Sequence, residues 1–153
     1  MNVLQVIPQL ETGGAERTTI EVAEALVRDG HSALVASEGG AMVRELEAAG
    51  GEPVTLPMAT KNPLTAPAWS ALHAARATGI PFVTTYHGTY NAKTPLKRFY
   101  NSVMARGDRV IANSEFIRDH IVSEHGLEAE TITVIPRGVD VDRFTMTEEV
   151  IAR

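Results

Sequence analysis

The sequence predicts an α/β protein with a doubly wound parallel sheet, and three observations support this fold class. Short runs rich in β-branched apolar residues alternate with helix-length amphipathic segments along the chain. The runs are nearly uninterrupted in hydrophobicity, which indicates strands covered on both faces. Glycines follow the ends of the helical segments, where helices commonly stop. With 153 residues, the chain has the length of one ordinary domain.

The first half of the chain shows a β-α-β-α-β order. A glycine pair, Gly13-Gly14, separates the first strand from the first helix, and Gly30 closes that helix. A second pair, Gly39-Gly40, opens the next helix in the same way. We predict strands at 3–7, 31–37 and 52–56 and helices at 15–29 and 41–49.

The second half continues the alternation. Thr94-Pro95 has the form of a helix N-cap followed by proline at the first helical position. Ser114 is a second plausible N-cap, and Pro136 closes the last strand. We predict strands at 81–86, 108–112 and 131–135, and helices at 67–78 and 115–125. A further helix begins at 95 and carries an apolar stripe formed by Leu96, Phe99, Tyr100, Val103 and Met104.

The composition is that of a water-soluble globular protein. Apolar residues make up 44% and charged residues 22% of the chain, with no run long enough to span a membrane. The formal charge of −5 argues against general nucleic-acid binding. Cysteine is absent, which excludes disulfides and thiolate metal sites. The N-terminus lacks the features of a signal peptide, so we expect a cytoplasmic protein.

Ligands of open parallel sheets bind beyond the carboxyl ends of the strands, so residues just after the strands carry the functional prediction. At the first such position, Gly13-Gly14 allows an anion to approach the free N–H groups of the following helix. The alternative for this pair is a tight turn without a ligand. The other strand-end groups are Glu38-Gly39-Gly40, His87-Gly88-Thr89, Asn113-Ser114 and Arg137-Gly138.

Three of these groups have a structural alternative beside the functional one. His87 can bind a sugar hydroxyl or a phosphate or act as an acid or base, but it can also simply bond a loop carbonyl. Ser114 can contact a ligand or only cap its helix. Arg137 can hold a phosphate or pair with Asp140 or Asp142. The chain shows no Asp-x-Asp, paired strand-end carboxylates or Gly-x-Ser-x-Gly, so we expect no metal site and no bound cofactor.

Four motifs, in their order and spacing, resemble the N-terminal domain of family 4 retaining glycosyltransferases of the GT-B fold. They are Gly13-Gly14-Ala15-Glu16, Tyr86-His87-Gly88, Val110-Ile111-Ala112-Asn113-Ser114, and Val134-Ile135-Pro136-Arg137-Gly138-Val139-Asp140 with Phe144. The resemblance spans nearly the whole chain. Its details are similar to those of bacterial enzymes of lipopolysaccharide or surface-polysaccharide assembly.

The resemblance implies a Rossmann-like domain and assigns roles to residues. Residues 1–144 would form the domain, and 145–153 would begin the link to a C-terminal domain that binds most of the donor. Gly13, Gly14 and Arg137 would bind the donor diphosphate, and His87 would lie near the transferred sugar as the catalytic residue. Lys61, Thr89, Asn113 and Ser114 would line the acceptor side of the cleft.

The implied reaction is metal-independent transfer from a nucleotide-diphosphate sugar to a glycan or glycolipid, with retained anomeric configuration. A membrane-linked acceptor would add peripheral contact at the inner face of the membrane. The basic residues beside the helix after Pro95, which include Lys97 and Arg98, are either a solvated face or a contact for anionic lipid.

The chain departs from the family pattern in two places. The C-terminal domain with its donor-binding residues is absent, so we expect this half to be inactive alone. About one αβ unit is also missing near Leu64-Thr65, where the family places another helix and strand. Its loss would remove a strand expected beside the first one, leaving either a re-paired sheet or a gap, and would expose apolar surface.

Two other functions remain open on sequence grounds. Glu38 follows the second strand where a ribose-binding acid would lie in a dinucleotide-binding domain, although the chain lacks Gly-x-Gly-x-x-Gly. The second is a non-catalytic binding domain, or a remnant, that recruits a partner or glycan.

Overall fold

The computed structural model describes residues 1–58, 67–90 and 94–138. Within these ranges the chain is an α/β protein in which every strand pair is parallel. The strands are β1 (Asn2–Val6), β2 (Ser32–Ser37), β3 (Glu52–Thr55), β4 (Val83–Tyr86), β5 (Arg109–Ala112) and β6 (Ile132–Val134). The helices are α1 (Gly14–Arg28), α2 (Val43–Ala48), α3 (Pro67–Thr78), α4 (Pro95–Asn101) and α5 (Glu115–His125), with 3-10 turns at Ser102–Ala105 and Ala129–Thr131.

The predicted fold class is confirmed, and the strands form two small sheets. The first sheet has the order β1-β2-β3 and the second has the order β4-β5-β6. In the described ranges β1 pairs only with β2, and β4 pairs only with β5. Among the described residues β1 and β4 do not pair with each other, so a gap rather than a re-paired sheet lies between the two sheets.

Each sheet has its own apolar core. Helix α1 lies on one face of the first sheet, where the Gln5 amide donates to the Thr19 carbonyl over 3.0 Å. Helix α5 contributes to the core of the second sheet. The first core consists of Leu10, Ile20, Ala23, Ala33, Val35, Met42 and Leu46, and the second consists of Tyr86, Val110, Ala112, Ile117, Ile121 and Ile132.

Two apolar residues of β1 are exposed to solvent. Leu4 is 58% exposed and Val6 is 38% exposed, although both occupy strand positions of a kind that parallel sheets usually bury. Val83, at the start of β4, is 52% exposed. Apolar surface is therefore exposed on both β1 and β4.

The helix boundaries follow from local sequence. The Thr94 hydroxyl accepts a hydrogen bond from the Lys97 N–H, and Pro95 occupies the first helical position, as predicted. Helix α4 is shorter than the apolar stripe suggested, because the chain changes to a 3-10 turn at Ser102. Of that stripe, Val103 is buried, whereas Leu96 and Phe99 are more than half exposed. Phe99 instead stacks on Trp69, with ring centroids 5.0 Å apart.

Candidate functional site

The candidate site lies where the carboxyl ends of the two sheets meet. Helix α1 begins at Gly14, and its N-cap, Gly13, offers no side chain to the free N–H groups of the first turn. A Cβ atom added at Gly14 would collide with the guanidinium of Arg137, which follows β6. An added side chain at this position would therefore displace the Arg137 guanidinium from the start of α1. The contact joins the first sheet to the second.

Arg137 also binds His87, which follows β4 directly. The guanidinium donates to His87 Nδ1 over 2.6 Å. Because an arginine can only donate, Nδ1 must accept, so the proton of the neutral ring lies on Nε2. His87 therefore keeps one N–H donor for a ligand.

The electrostatic surroundings favour the neutral form of His87. Burial lowers the pKa of His87 from its usual value, and the positive charge of Arg137 lowers it further. The nearby Glu16 carboxylate acts in the opposite direction and raises it. At neutral pH the ring is consequently a hydrogen-bond donor at Nε2 and carries no charge.

Asn113 holds the loop that carries His87. Its Nδ2 amide donates to the His87 carbonyl over 3.2 Å and so ties the end of β5 to the end of β4. Its Oδ1 atom is buried and has no hydrogen-bond partner among the described residues. Because this oxygen is buried, Asn113 acts at this edge through its bond to the His87 backbone.

Glu16 belongs to the same cluster, and the sequence analysis assigned it no role. Its carboxylate lies over Gly13, where an added Cβ would be 2.9 Å from Glu16 Cδ. A negative charge near a helix N-terminus is favourable. An anionic ligand would have to share this position with Glu16 or displace it. The sequence feature that could have indicated this role of Glu16 is its position in the first turn of α1, three residues after Gly13.

The other predicted site residues divide into three groups. Ser114 caps α5, where its hydroxyl accepts from the Ile117 N–H over 3.2 Å, so the structural alternative for Ser114 is realised. Thr89 is exposed. Lys61 lies outside the described residues, as do Asp140 and Asp142, the alternative partners of Arg137.

Two further features concern other possible binding sites in the described residues, a metal site and a groove. In the described ranges, no group of three or more His, Asp or Glu side chains is placed to bind a metal ion. An open groove of about 610 Å³ lies between α4 and the C-terminal end of α5, away from the strand ends. Its charged residues, Arg98 and Glu124, pair with each other over 3.3 Å. This groove therefore contributes no group to the candidate site.

The fold and the site together define a Rossmann-like α/β domain with an anion-accessible helix start and a histidine–arginine pair at the strand ends. The family model described as Glycosyltransferase Family 4 matches residues 62–143, more than half of the chain. The chain belongs to glycosyltransferase family 4, and its fold is that of the N-terminal domain of a GT-B enzyme.

Solved structures support the same assignment. A glycosyltransferase from Rickettsia africae ESF-5 is 33% identical in sequence, with a TM-score of 0.81 over 99% of this chain. Anabaena Alr3699/HepE, solved in complex with UDP-glucose, is similar in fold, with 22% identity and a TM-score of 0.71 over 97% of this chain. The chain spans 47% of the length of each of these proteins. None of the curated proteins compared with the chain matches it.

No described helix has the length and apolar character needed to cross a membrane.

Proposed function

We propose that this chain is the acceptor-side half of a retaining glycosyltransferase, which transfers a sugar from a nucleotide-diphosphate sugar to a glycan or glycolipid. The observation that carries the proposal is the contact of Arg137 with both Gly14 and His87. This contact brings the positive charge of Arg137, the N-terminus of α1 and the neutral imidazole donor of His87 together at the carboxyl ends of the strands. These are the groups that a departing diphosphate and the neighbouring sugar require.

The residues have distinct parts in the proposed reaction. Arg137 and the first N–H groups of α1, reached through Gly13 and Gly14, stabilise the negative charge that grows on the leaving diphosphate. The Nε2–H of His87 donates to a hydroxyl of the transferred sugar. Asn113, on the acceptor side of the cleft, fixes the His87 backbone. Thr89 and Lys61 are the proposed acceptor contacts. None of these parts requires a metal ion or a bound cofactor.

The chain supplies only one wall of such a site. The Anabaena protein was solved in complex with UDP-glucose. This chain covers 47% of the length of that protein. We infer that a second, donor-binding domain completes the site and that this half is inactive alone. The proposed setting is bacterial lipopolysaccharide or surface-polysaccharide assembly in the cytoplasm.

Complementation tests the enzymatic proposal. The chain is co-expressed with the C-terminal half of the Rickettsia africae relative, and transfer from nucleotide-diphosphate sugars is measured, with the product anomer read by NMR. We expect transfer with retention only when both halves are present, and loss of transfer in His87→Ala but not in His73→Ala on the exposed surface of α3. Transfer with inversion would contradict the mechanism. A folded but inactive pair would favour a non-catalytic binding domain.

A ligand titration separates the glycosyltransferase proposal from a dinucleotide-binding domain. We expect UDP to shift the amide NMR signals of Gly13 and Gly14 and the ring signals of His87. NAD would instead act at Glu38, which is exposed at the end of β2. Tighter binding of NAD than of UDP, with shifts centred on Glu38, would favour a dinucleotide-binding domain over a glycosyltransferase.

Peripheral membrane contact is a separate part of the proposal and rests on α4. Leu96 and Phe99 are 62% and 56% exposed, and Lys97 lies between them in sequence. Exposed apolar residues with adjacent positive charge are typical of helices that bind anionic lipid. We expect co-sedimentation with phosphatidylglycerol vesicles that Leu96→Ser weakens. Phe116→Ser, at a 70% exposed aromatic residue next to Glu115, should leave it unchanged. Equal binding to phosphatidylcholine vesicles would contradict the contact.

A further inference from the structure

The two strands that flank the gap have open edges, which we call the inner edges. They are the side of β1 that faces away from β2 and the side of β4 that faces away from β5. The carboxyl ends of both strands come together through the contacts of Arg137 with Gly14 and His87. The two inner edges therefore lie near each other at their carboxyl ends.

The backbone hydrogen bonds show which peptide groups lie on these edges. The Ser32 N–H donates to the Met1 carbonyl and the Ile7 N–H donates to the Ala36 carbonyl, so the odd-numbered residues of β1 face β2. Successive residues of a parallel strand alternate between its two sides. The N–H and C=O groups of Leu4 and Val6 consequently point away from β2 into the gap, and neither residue forms a backbone hydrogen bond there with another described residue.

The same reasoning applies to β4. The Asp108 N–H donates to the Phe82 carbonyl, so Phe82 and every second residue after it face β5. The peptide groups of Val83 and Thr85 therefore point into the gap. Within the described ranges, β1 and β4 therefore present donors and acceptors without partners, in strand geometry, one strand on each side of the gap.

The outer edges of the two sheets differ from the inner edges in sequence. Natural edge strands are protected by proline, by charge or by short length. Strand β3 carries Glu52 and Pro53, and because the Leu56 N–H bonds the Ser37 carbonyl, Pro53 faces outward, where no donor is needed. Strand β6 has three residues and is followed closely by Pro136. Neither β1 (NVLQV) nor β4 (VTTY) contains a charge or a proline.

We propose that an extended, uncharged segment of a second polypeptide inserts between β1 and β4 and pairs with both, so that the two sheets become one. The occupant follows from the chemistry of the edges. Unpaired peptide groups on both sides require a strand, the absence of charge on both edges requires an uncharged one, and exposed Leu4, Val6 and Val83 require apolar side chains on it.

A peptide with the sequence of β2 is a suitable probe. Strand β2 pairs on both sides with parallel strands and contains only uncharged residues. The probe is the labelled hexapeptide SALVAS with a C-terminal lysine tail for solubility, added to the full chain. We expect saturable binding by fluorescence anisotropy. Hydrogen exchange should be fast at the Leu4, Val6, Val83 and Thr85 amides of the free chain and should slow when the peptide binds.

A matched pair of proline variants locates the binding. Leu4→Pro removes only an N–H that points into the gap, so the β1–β2 bonds are kept, and we expect it to weaken peptide binding by about tenfold or more. Thr55→Pro makes the same change at an outward position of β3 and should leave binding unchanged. Val83→Lys gives a second test that does not alter the backbone. Far-UV circular dichroism confirms that each variant is folded.

Three results would overturn the proposal. The first is protection of the Leu4 and Val6 amides in the free chain. The second is peptide binding that neither Leu4→Pro nor Val83→Lys weakens in the folded protein. The third is a dimer of the free chain that Leu4→Pro dissociates, because the occupant would then be a second copy of the chain pairing edge to edge.

Discussion

At the scale of single residues, the pair formed by His87 and Arg137 determines the chemistry of the candidate site. Its geometry fixes the tautomer of the ring, and the arginine charge opposes protonation. A ligand that neutralises Arg137 would therefore also change the acidity of His87. This coupling can be measured in the isolated chain without any substrate.

We predict that Arg137→Gln raises the pKa of His87. Glutamine can still donate to Nδ1 but removes the charge that disfavours the imidazolium, so the pKa should move back towards the usual histidine value. Burial is the larger cause of the lowered pKa and is unchanged in this variant, so the pKa should return only part of the way. NMR titration of the ring Cε1–H gives the value. Arg118→Gln, whose guanidinium pairs with Glu115 and Asp119, is the matched control. An unchanged pKa in Arg137→Gln would show that the charge of Arg137 does not act on the ring.

The sequence indicated which residues meet at the site but not how they interact. The rule that ligands bind beyond strand ends selected His87, Asn113 and Arg137, because parallel strands bring their carboxyl ends to one edge. It could not show that Arg137 reaches Gly14, since that contact depends on the path of the chain after β6. It also assigned nothing to Glu16, which looks like any acidic residue in a first helical turn.

At the scale of secondary structure, most boundaries could be predicted because their signals are local. Caps such as Ser114 and Thr94, and glycines such as Gly126, act within one helical turn. The exposure of Leu96 and Phe99 could not be predicted, because periodicity shows that a face is apolar and not whether another element covers it. The division into two sheets likewise depends on pairings between distant strands.

We predict that Gly126→Ala lowers the free energy of unfolding by about 1 kcal/mol. Gly126 ends α5 with φ of 69°, and an added Cβ would have no atom within 4 Å, so the cost is backbone strain alone. Urea denaturation measures the change. Gly88→Ala also meets open space, but its φ lies outside the left-handed region, and it should change stability by less than about 0.5 kcal/mol. Equal losses in both variants would refute the assignment to φ.

At the scale of the whole molecule, the two cores are the main feature. Leu46 is fully buried in the first and Ile121 in the second. Trp69 reports on the second half, since its indole N–H bonds the Tyr100 carbonyl over 3.2 Å and its ring stacks on Phe99. Because no strand pairing in the described part of the chain joins the two sheets, we expect each half to unfold in its own transition.

We predict that Leu46→Ala destabilises the first half by about 2–5 kcal/mol and leaves the second half nearly unchanged. In urea, far-UV circular dichroism should then show an earlier first step, while the midpoint of Trp69 fluorescence stays in place. Ile121→Ala should shift the fluorescence midpoint instead. If both probes shift together in Leu46→Ala, the two halves form one cooperative unit and the prediction fails.

The order of the strands has a consequence for how the chain is made. In each sheet the spatial order is the order in which the strands are synthesised, and the first core is complete in sequence by the end of β3 at Thr55. At translation rates of about 5–20 residues per second, synthesis from Thr55 to the end of β4 at Tyr86 takes on the order of 2–6 seconds. The first sheet therefore has time to fold beside the ribosome, and β1 presents its unpaired edge to the nascent chain before β4 exists.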